Sequence, residues 1–276
     1  MENEALVRLG AFGGLFLLFA ALETVAPRRV RKHPRRGRWL TNWGISIANV
    51  LALRALALGL PLLAVGAALD AEAQGWGLFN QLGWPLWLEM ALAVLIFDFA
   101  IWLQHLITHK VPLLWRLHRV HHADVDFDVT TAIRFHPVEI ALSMLLKIGL
   151  VYLLGPAAWA VVIFEVLLNG TAMFNHANVR MPVGLDRILR WIVVTPDMHR
   201  IHHSVEKRET NSNFGFNLSI WDRFLGTYIQ DAKREQPKII IGIDQFRTSE
   251  EVSLKNLLMM PFREVPENHS FSPEEK

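Results

Sequence analysis

The sequence predicts an all-α, polytopic membrane protein, with about four to five membrane helices and a group of histidines in helical spacing. Three observations carry that prediction. Hydrophobic residues make up 52% of the 276 residues, with ten tryptophans and sixteen phenylalanines, and the mean hydropathy is +0.25. Apolar runs of spanning length recur along the first two thirds of the chain. Ten of the twelve histidines fall between His105 and His203, in groups spaced for a helix.

The apolar runs define the elements. The first, 6–22, is interrupted only by Arg8, and the second, 43–69, is long enough to span with tilt despite Arg54. A third, 86–103, contains Glu89 and Asp98. Two shorter runs, 138–154 and 157–174, are separated by Gly155-Pro156, a pair that ends one helix and permits a tight reversal. These arms of a membrane hairpin, 138–174, carry Glu139, Lys147 and Glu165 and fall just short of a full span of about 20 residues. Acidic Glu2 and Glu4 and the lack of a small-x-small site argue for a retained first helix and against a cleaved leader.

Arginine and lysine are dense in 28–38, between the first two runs, which places that loop in the cytoplasm. It is expected also to meet anionic headgroups. The acidic loop 70–85 then faces outward, and the third span returns to the cytoplasmic side with His105 and His109 at its end. A hairpin that goes out and back leaves His136 and His176 there too. The expected organisation is a single integrated domain: membrane helices over 1–104, a histidine region over 105–230 and a polar tail over 231–276.

The histidines read His105-x3-His109, His118-x2-His121-His122, His136, His176 and His199-x2-His202-His203. Positions i, i+3 and i+4 share a helix face, so each group aims its imidazoles at one point. Neutral imidazole is the commonest protein ligand for iron, zinc and copper, and ten of them are enough for the inner shells of two ions. His33 and His269 stand alone in polar segments and read as ordinary surface residues. The chain has no cysteine, which excludes thiolate zinc sites, iron–sulfur clusters and thiol catalysis.

Three carboxylates accompany the histidines. Thr195-Pro196-Asp197 reads as a helix start, with Thr195 as cap, and sets His199, His202 and His203 on the first turns. Pro137 starts a helix after His136, with Glu139 a turn later as an acceptor for an imidazole N–H. Asp98 lies seven residues before His105, about 10 Å deeper on the same face, where an acid is costly and usually functional. Asp98, Glu139 and Asp197 are therefore the candidate catalytic acids.

This order of motifs, with Phe135-His136-Pro137-x-Glu139, Asn175-His176, Asn213-Phe214-Gly215 and Trp221-Asp222-Arg223-Phe224-x-Gly226-Thr227-Tyr228, resembles the fatty acid hydroxylase/sterol desaturase superfamily over about residues 90–230. The resemblance implies a membrane-embedded non-haem di-iron oxygenase that hydroxylates or desaturates a lipid arriving from the bilayer, with membrane helices holding a cytoplasmic helical cap that bears the dimetal histidine site. It implies His105, His109, His118, His121, His122, His136, His176, His199, His202 and His203 as the ligands of two iron ions, which zinc would replace in some preparations. The sequence shows neither a His-Pro-Gly-Gly haem motif nor a nucleotide-binding glycine loop, so electrons are expected from a separate donor, a reduced pterin or a ferredoxin or cytochrome. Nothing points to nucleic acid, and the oligomeric state is left open.

Two other classes compete. A divalent-metal transporter would place its ligands near the midplane of its spans, whereas these sit at span ends. A zinc-dependent hydrolase needs three protein ligands and here lacks the His-Glu-x-x-His motif.

Overall fold

The computed structural model describes residues 3–59 and 63–264. It is 67% helix, with no strands among the described residues. The helices are α1 (Glu4–Val25), α2 (Arg35–Gly59), α3 (Ala64–Gln74), α4 (Leu86–Lys110), α5 (Pro112–His122), α6 (Pro137–Leu154), α7 (Ala158–His176), α8 (Val183–Leu189), α9 (Pro196–His202), α10 (Lys207–Thr210), α11 (Ile220–Phe224) and α12 (Leu254–Met259). Four of them, α1, α4, α6 and α7, are long and apolar enough to cross a membrane.

The run expected to span at 43–69 is instead two helices. α2 ends at Gly59 and α3 begins at Ala64, and residues 60–62 of this run lie outside the described residues. α3 buries Ala64, Ala67, Ala68 and Ala71 against α6 and α7, and Tyr152 donates to Asp70 at 2.8 Å. The reversal between α6 and α7 falls at Gly155-Pro156 as expected, with Gly155 left-handed at φ 63° and a backbone so close to Gly77 that a side chain at either would collide.

α7 is the central helix, packed on α1, α3 and α4. α1 lies on the periphery, where Phe16 meets the Trp39 and Trp43 rings edge-on at 5.7 and 5.1 Å. The segment after 231, expected as a polar tail, contributes to the body as far as residue 263. Ile239, Ile241, Leu257 and Met260 are buried, and Arg119 and Arg116 donate to carbonyls of 260–263.

The arginines of the basic segment 28–38 are mostly tied to protein carboxylates and carbonyls. Arg28 pairs with Asp197 at 2.8 Å, Arg29 donates to Ile239 O at 2.6 Å, and Arg31 and Arg35 reach the fully buried Glu23. Arg38 bridges buried Asp124 and Asp128 at 2.7 and 2.6 Å. Asp124 also accepts from Asn42 and Thr131, so α2 is locked to the turn that immediately follows α5.

Losing the Arg38 guanidinium would remove the ion pair of two buried carboxylates, leaving Asp124 with only the more distant charge of Arg134. Arg38→Met is expected to destabilise the metal-free full chain by about 3–5 kcal/mol, read from denaturant unfolding in detergent. Arg36→Met, at an exposed position, is expected to change stability by less than about 0.5 kcal/mol.

Candidate metal centre

The centre forms where four helix ends meet. His105 and His109 lie one turn apart at the end of α4. The chain then extends at Val111, φ −97° and ψ 115°, and restarts with Pro112 as the first residue of α5, so α5 carries His118, His121 and His122 back over α4. His176 ends α7. α9 starts as its sequence suggests: Thr195 accepts from Met198 N at 3.3 Å, Pro196 follows, and His199 and His202 project from the first two turns with His203 at the C-cap.

Nine of the ten histidines gather into two buried groups, His105, His109, His118, His122 and His202 in one, His121, His176, His199 and His203 in the other. Within each group the ring nitrogens that could bind a cation lie within 4.8 Å of one another. The groups adjoin, with the His122 and His203 rings stacked at 4.5 Å.

The outer ring nitrogens determine what the inner ones can do. Nδ1 of His105 meets Phe214 O at 2.7 Å, that of His176 meets Ala172 O at 2.7 Å, that of His202 meets Ser212 O at 2.7 Å, and that of His121 meets Arg134 O at 3.2 Å. His118 Nδ1 meets the Glu139 carboxylate at 2.6 Å. A carbonyl or carboxylate only accepts, so each Nδ1 carries the proton and each neutral Nε2 presents a bare lone pair. Yet Nε2 of His105 faces Nε2 of His118 at 3.0 Å, and Nε2 of His176 faces those of His121, His199 and His203 at 3.1–3.2 Å. Buried Nε2 atoms of His109, His122 and His202 have no partner at all.

Protonation does not relieve this crowding. Burial, reinforced by neighbouring imidazoles, holds His121, His122, His199 and His203 well below the usual histidine range, and burial brings His202 down to about 3. His105 with His118, and His121 with His176, therefore meet as bare lone pairs with no proton between them, which suits a cation. Donors about 2.1 Å from one ion at right angles lie about 3 Å apart, the spacing found here. The residues therefore fit two metal ions held by imidazole.

His136 stands apart from both groups. Its side chain caps α6, with Nδ1 accepting from Val138 N at 3.2 Å, while Nε2 donates to Leu258 O at 3.2 Å. Both nitrogens are thus engaged, and the structure does not bring it to the centre.

The three carboxylates have different surroundings. Glu139 holds His118 in place, not its near neighbour His136. Asp98 is buried and accepts from Trp221 Nε1 at 2.7 Å, which joins α11 to the middle of α4; it is absent from the cavity beside the histidines. Asp197 is taken up by Arg28 and Arg200. Burial alone would raise its pKa, but these guanidiniums hold it below the usual carboxylate range, and its bonds go to none of the histidines.

The residue types alone do not reveal the acceptors at 212 and 214. Asn213 adopts φ 52° and is held by side-chain bonds to Met198 O and to both polar groups of Ile229, which fixes the carbonyls on either side of it. Asp222 accepts from Phe214 N and Gly215 N, both at 2.8 Å, and from Trp102 Nε1 at 3.0 Å. The motifs Asn213-Phe214-Gly215 and Trp221-Asp222 thus build the outer support of His105 and His202.

Beside the first group lies a cavity of about 250 Å³. His105, His118 and Glu139 form one part of its wall, and residues of α1, α2, α4, α6 and α7 form the rest together with Ala132, Ile133, Phe135 and Phe216. Val50, which lines it, is exposed, so the cavity reaches the apolar flank of the bundle.

The sequence profile of the fatty acid hydroxylase family matches residues 90–227, half of the chain and all ten histidines. The chain belongs to the fatty acid hydroxylase family. It is 34% identical over 146 residues to an ornithine lipid hydroxylase, OlsE, of Rhizobium tropici, covering 52% of this chain and 43% of that protein. It is 30% identical over 161 residues to an alkylglycerol monooxygenase of Xenopus tropicalis, covering 58% and 33%, and 29% identical over 174 residues to the human alkylglycerol monooxygenase, covering 62% and 36%. The chain therefore spans less than half the length of these relatives. No solved structure matches it significantly.

The contrast between His136 and the grouped histidines is directly measurable. His122→Ala is expected to lower metal affinity by more than the 10–100-fold typical of losing an outer support. His136→Ala is expected to leave the metal count per chain unchanged, as read by elemental analysis of the purified protein.

Proposed function

We propose that this protein is a membrane-bound non-haem di-iron oxygenase that hydroxylates or desaturates a lipid, using dioxygen and electrons from an external reductant. One observation carries the reading: of two adjoining, all-histidine groups, the first borders a largely apolar cavity that opens on the flank of a membrane bundle. The names of the relatives, a lipid hydroxylase and alkylglycerol monooxygenases, agree with it.

In this reading His105, His109, His118, His122 and His202 hold one iron and His121, His176, His199 and His203 the other. When bound, the metal pair supplies dioxygen-dependent oxidising power that side chains lack. The chain supplies position and dryness. Glu139, Phe214 O, Arg134 O, Ala172 O and Ser212 O fix the Nδ1–H tautomers and so keep each Nε2 available. The walls formed by Ile101, Ile140, Leu168 and Phe216 keep water from a lipid segment resting beside His105 and His118. Asp98 and Asp197 serve in assembly, joining α11 to α4 and the segment after α1 to α9.

The electron donor is external, a reduced pterin or a ferredoxin or cytochrome, and the substrate enters laterally from the bilayer. The histidine groups face the cytoplasm. The positive-inside rule supports that side, because the arginine-rich segment 28–38 is bonded to α9 and to the turn after α5, at the histidine end of the bundle.

The test is metal analysis and turnover of protein purified without oxygen, since zinc binds nitrogen sites more tightly than ferrous iron and would displace it. About two irons per chain, and lipid oxidation that needs both dioxygen and a reductant, are expected. A single zinc with dioxygen-independent hydrolysis would overturn the proposal in favour of a hydrolase.

A further inference from the structure

The cavity beside the histidines is apolar over much of its wall, but its polar atoms differ in how they are used. Thr108 donates to His105 O at 2.7 Å, Ser143 to Gln104 at 3.2 Å, and Asn169 to Glu165 O at 2.7 Å. Thr108, Ser143 and Asn169 are thus bonded within the protein, whereas Glu139 spends Oε1 on His118 and keeps a buried Oε2 without a partner.

Among the described residues, Asn49 carries the other buried side-chain atom of this wall that has no partner. It lies on α2 one turn beyond Ser46, both line the cavity, and Asn49 is only 8% exposed. Its buried Oδ1 has no hydrogen-bond partner, and no other bond of its side chain is found among the described residues. A buried amide left unpaired is costly, so such a group in a functional cavity marks where a ligand atom completes it.

We infer that Asn49, assisted by Ser46, recognises a neutral hydrogen-bonding group, a secondary amide or a hydroxyl, on the lipid that fills this cavity. The inference rests on the oxygenase reading for the role of the site and names the class of substrate. Oδ1 accepts only, so the ligand must donate an N–H or O–H, and the side-chain NH₂ then calls for an acceptor beside it. Amide and hydroxyl offer both. An ester or ether has no donor and sets its oxygen lone pairs against Oδ1. No lysine or arginine lines the cavity, so a carboxylate or phosphate would be buried there without a countercharge. A plain hydrocarbon leaves Asn49 unsatisfied. The contact fixes the lipid along its length and thereby selects the carbon that rests beside His105 and His118. Asn49 is in this sense a specificity residue.

The test uses the metal-loaded full chain in lipid nanodiscs and measures displacement of a fluorescent fatty chain by matched pairs, N-dodecylacetamide against dodecyl acetate and 1-dodecanol against methyl dodecyl ether. The native chain is expected to bind the donor-bearing member of at least one pair about tenfold or more tightly, and the pair with the larger ratio distinguishes amide from hydroxyl. Asn49→Leu is expected to abolish the preference while keeping its metal. Equal binding within both pairs by the native chain overturns the inference whether or not the variant folds, and so does a preference that survives in Asn49→Leu. Binding needs no dioxygen, so the two readings fail separately. A chain that discriminates but oxidises no lipid contradicts the oxygenase, and one that oxidises lipids without discriminating contradicts Asn49.

Discussion

The structure depends on one constraint: nine buried imidazoles crowd into two small volumes, and the five whose Nδ1 is bonded outward turn bare Nε2 lone pairs inward. Lone pairs facing one another at about 3 Å repel, and burial makes charging the rings expensive. An arrangement of this kind is stable as the inner shell of cations and strained otherwise. The folding problem for this chain is therefore to hold the rings in that unfavourable proximity before the ions arrive.

Its solution is to use the ends of rigid helices and to bond the far side of the rings. The extended Val111 and Pro112 turn α5 back over the end of α4, while Thr195 and Pro196 start α9 so that its first turns carry three rings. Backbone carbonyls at 134, 172, 212 and 214 and the Glu139 carboxylate hold five Nδ1 protons outward. Around this, Arg38 with Asp124 and Asp128 ties α2 to the turn after α5, and Glu23 accepts the backbone N–H groups of Val129 and Asn178 at 2.7 and 2.8 Å. The arginine-rich segment thus acts as a clasp between the membrane helices and the histidine-bearing end.

Local chemistry was legible in the sequence. Helical spacing of the histidines, the Thr195-Pro196 start, and the Gly155-Pro156 reversal are short-range signals, and the structure follows each of them. What was not legible depends on partners distant in the chain or on atoms every residue possesses. Nothing in Phe135-His136-Pro137 says that His136 will spend Nδ1 on its own helix cap and Nε2 on Leu258 O, 122 residues away. Asp98 reads as a cavity acid until Trp221, 123 residues on, is found donating to it. The carbonyls at 212 and 214 carry no side-chain signature. The run 43–69 exceeds spanning length by composition alone, and composition does not tell that it is shared between α2 and α3. The arginines of 28–38 signal orientation by their number, yet their bonded partners are carboxylates and carbonyls scattered from Glu23 to Ile239.

The central claim, that each group of imidazoles is the inner shell of a metal ion, is tested most directly by X-ray absorption at the iron edge of the anaerobically prepared full chain. The account predicts a first shell dominated by nitrogen at about 2.1 Å, with the outer scattering characteristic of imidazole rings, and loss of part of that imidazole scattering in His202→Ala. A first shell composed mainly of oxygen, without imidazole scattering, would contradict it.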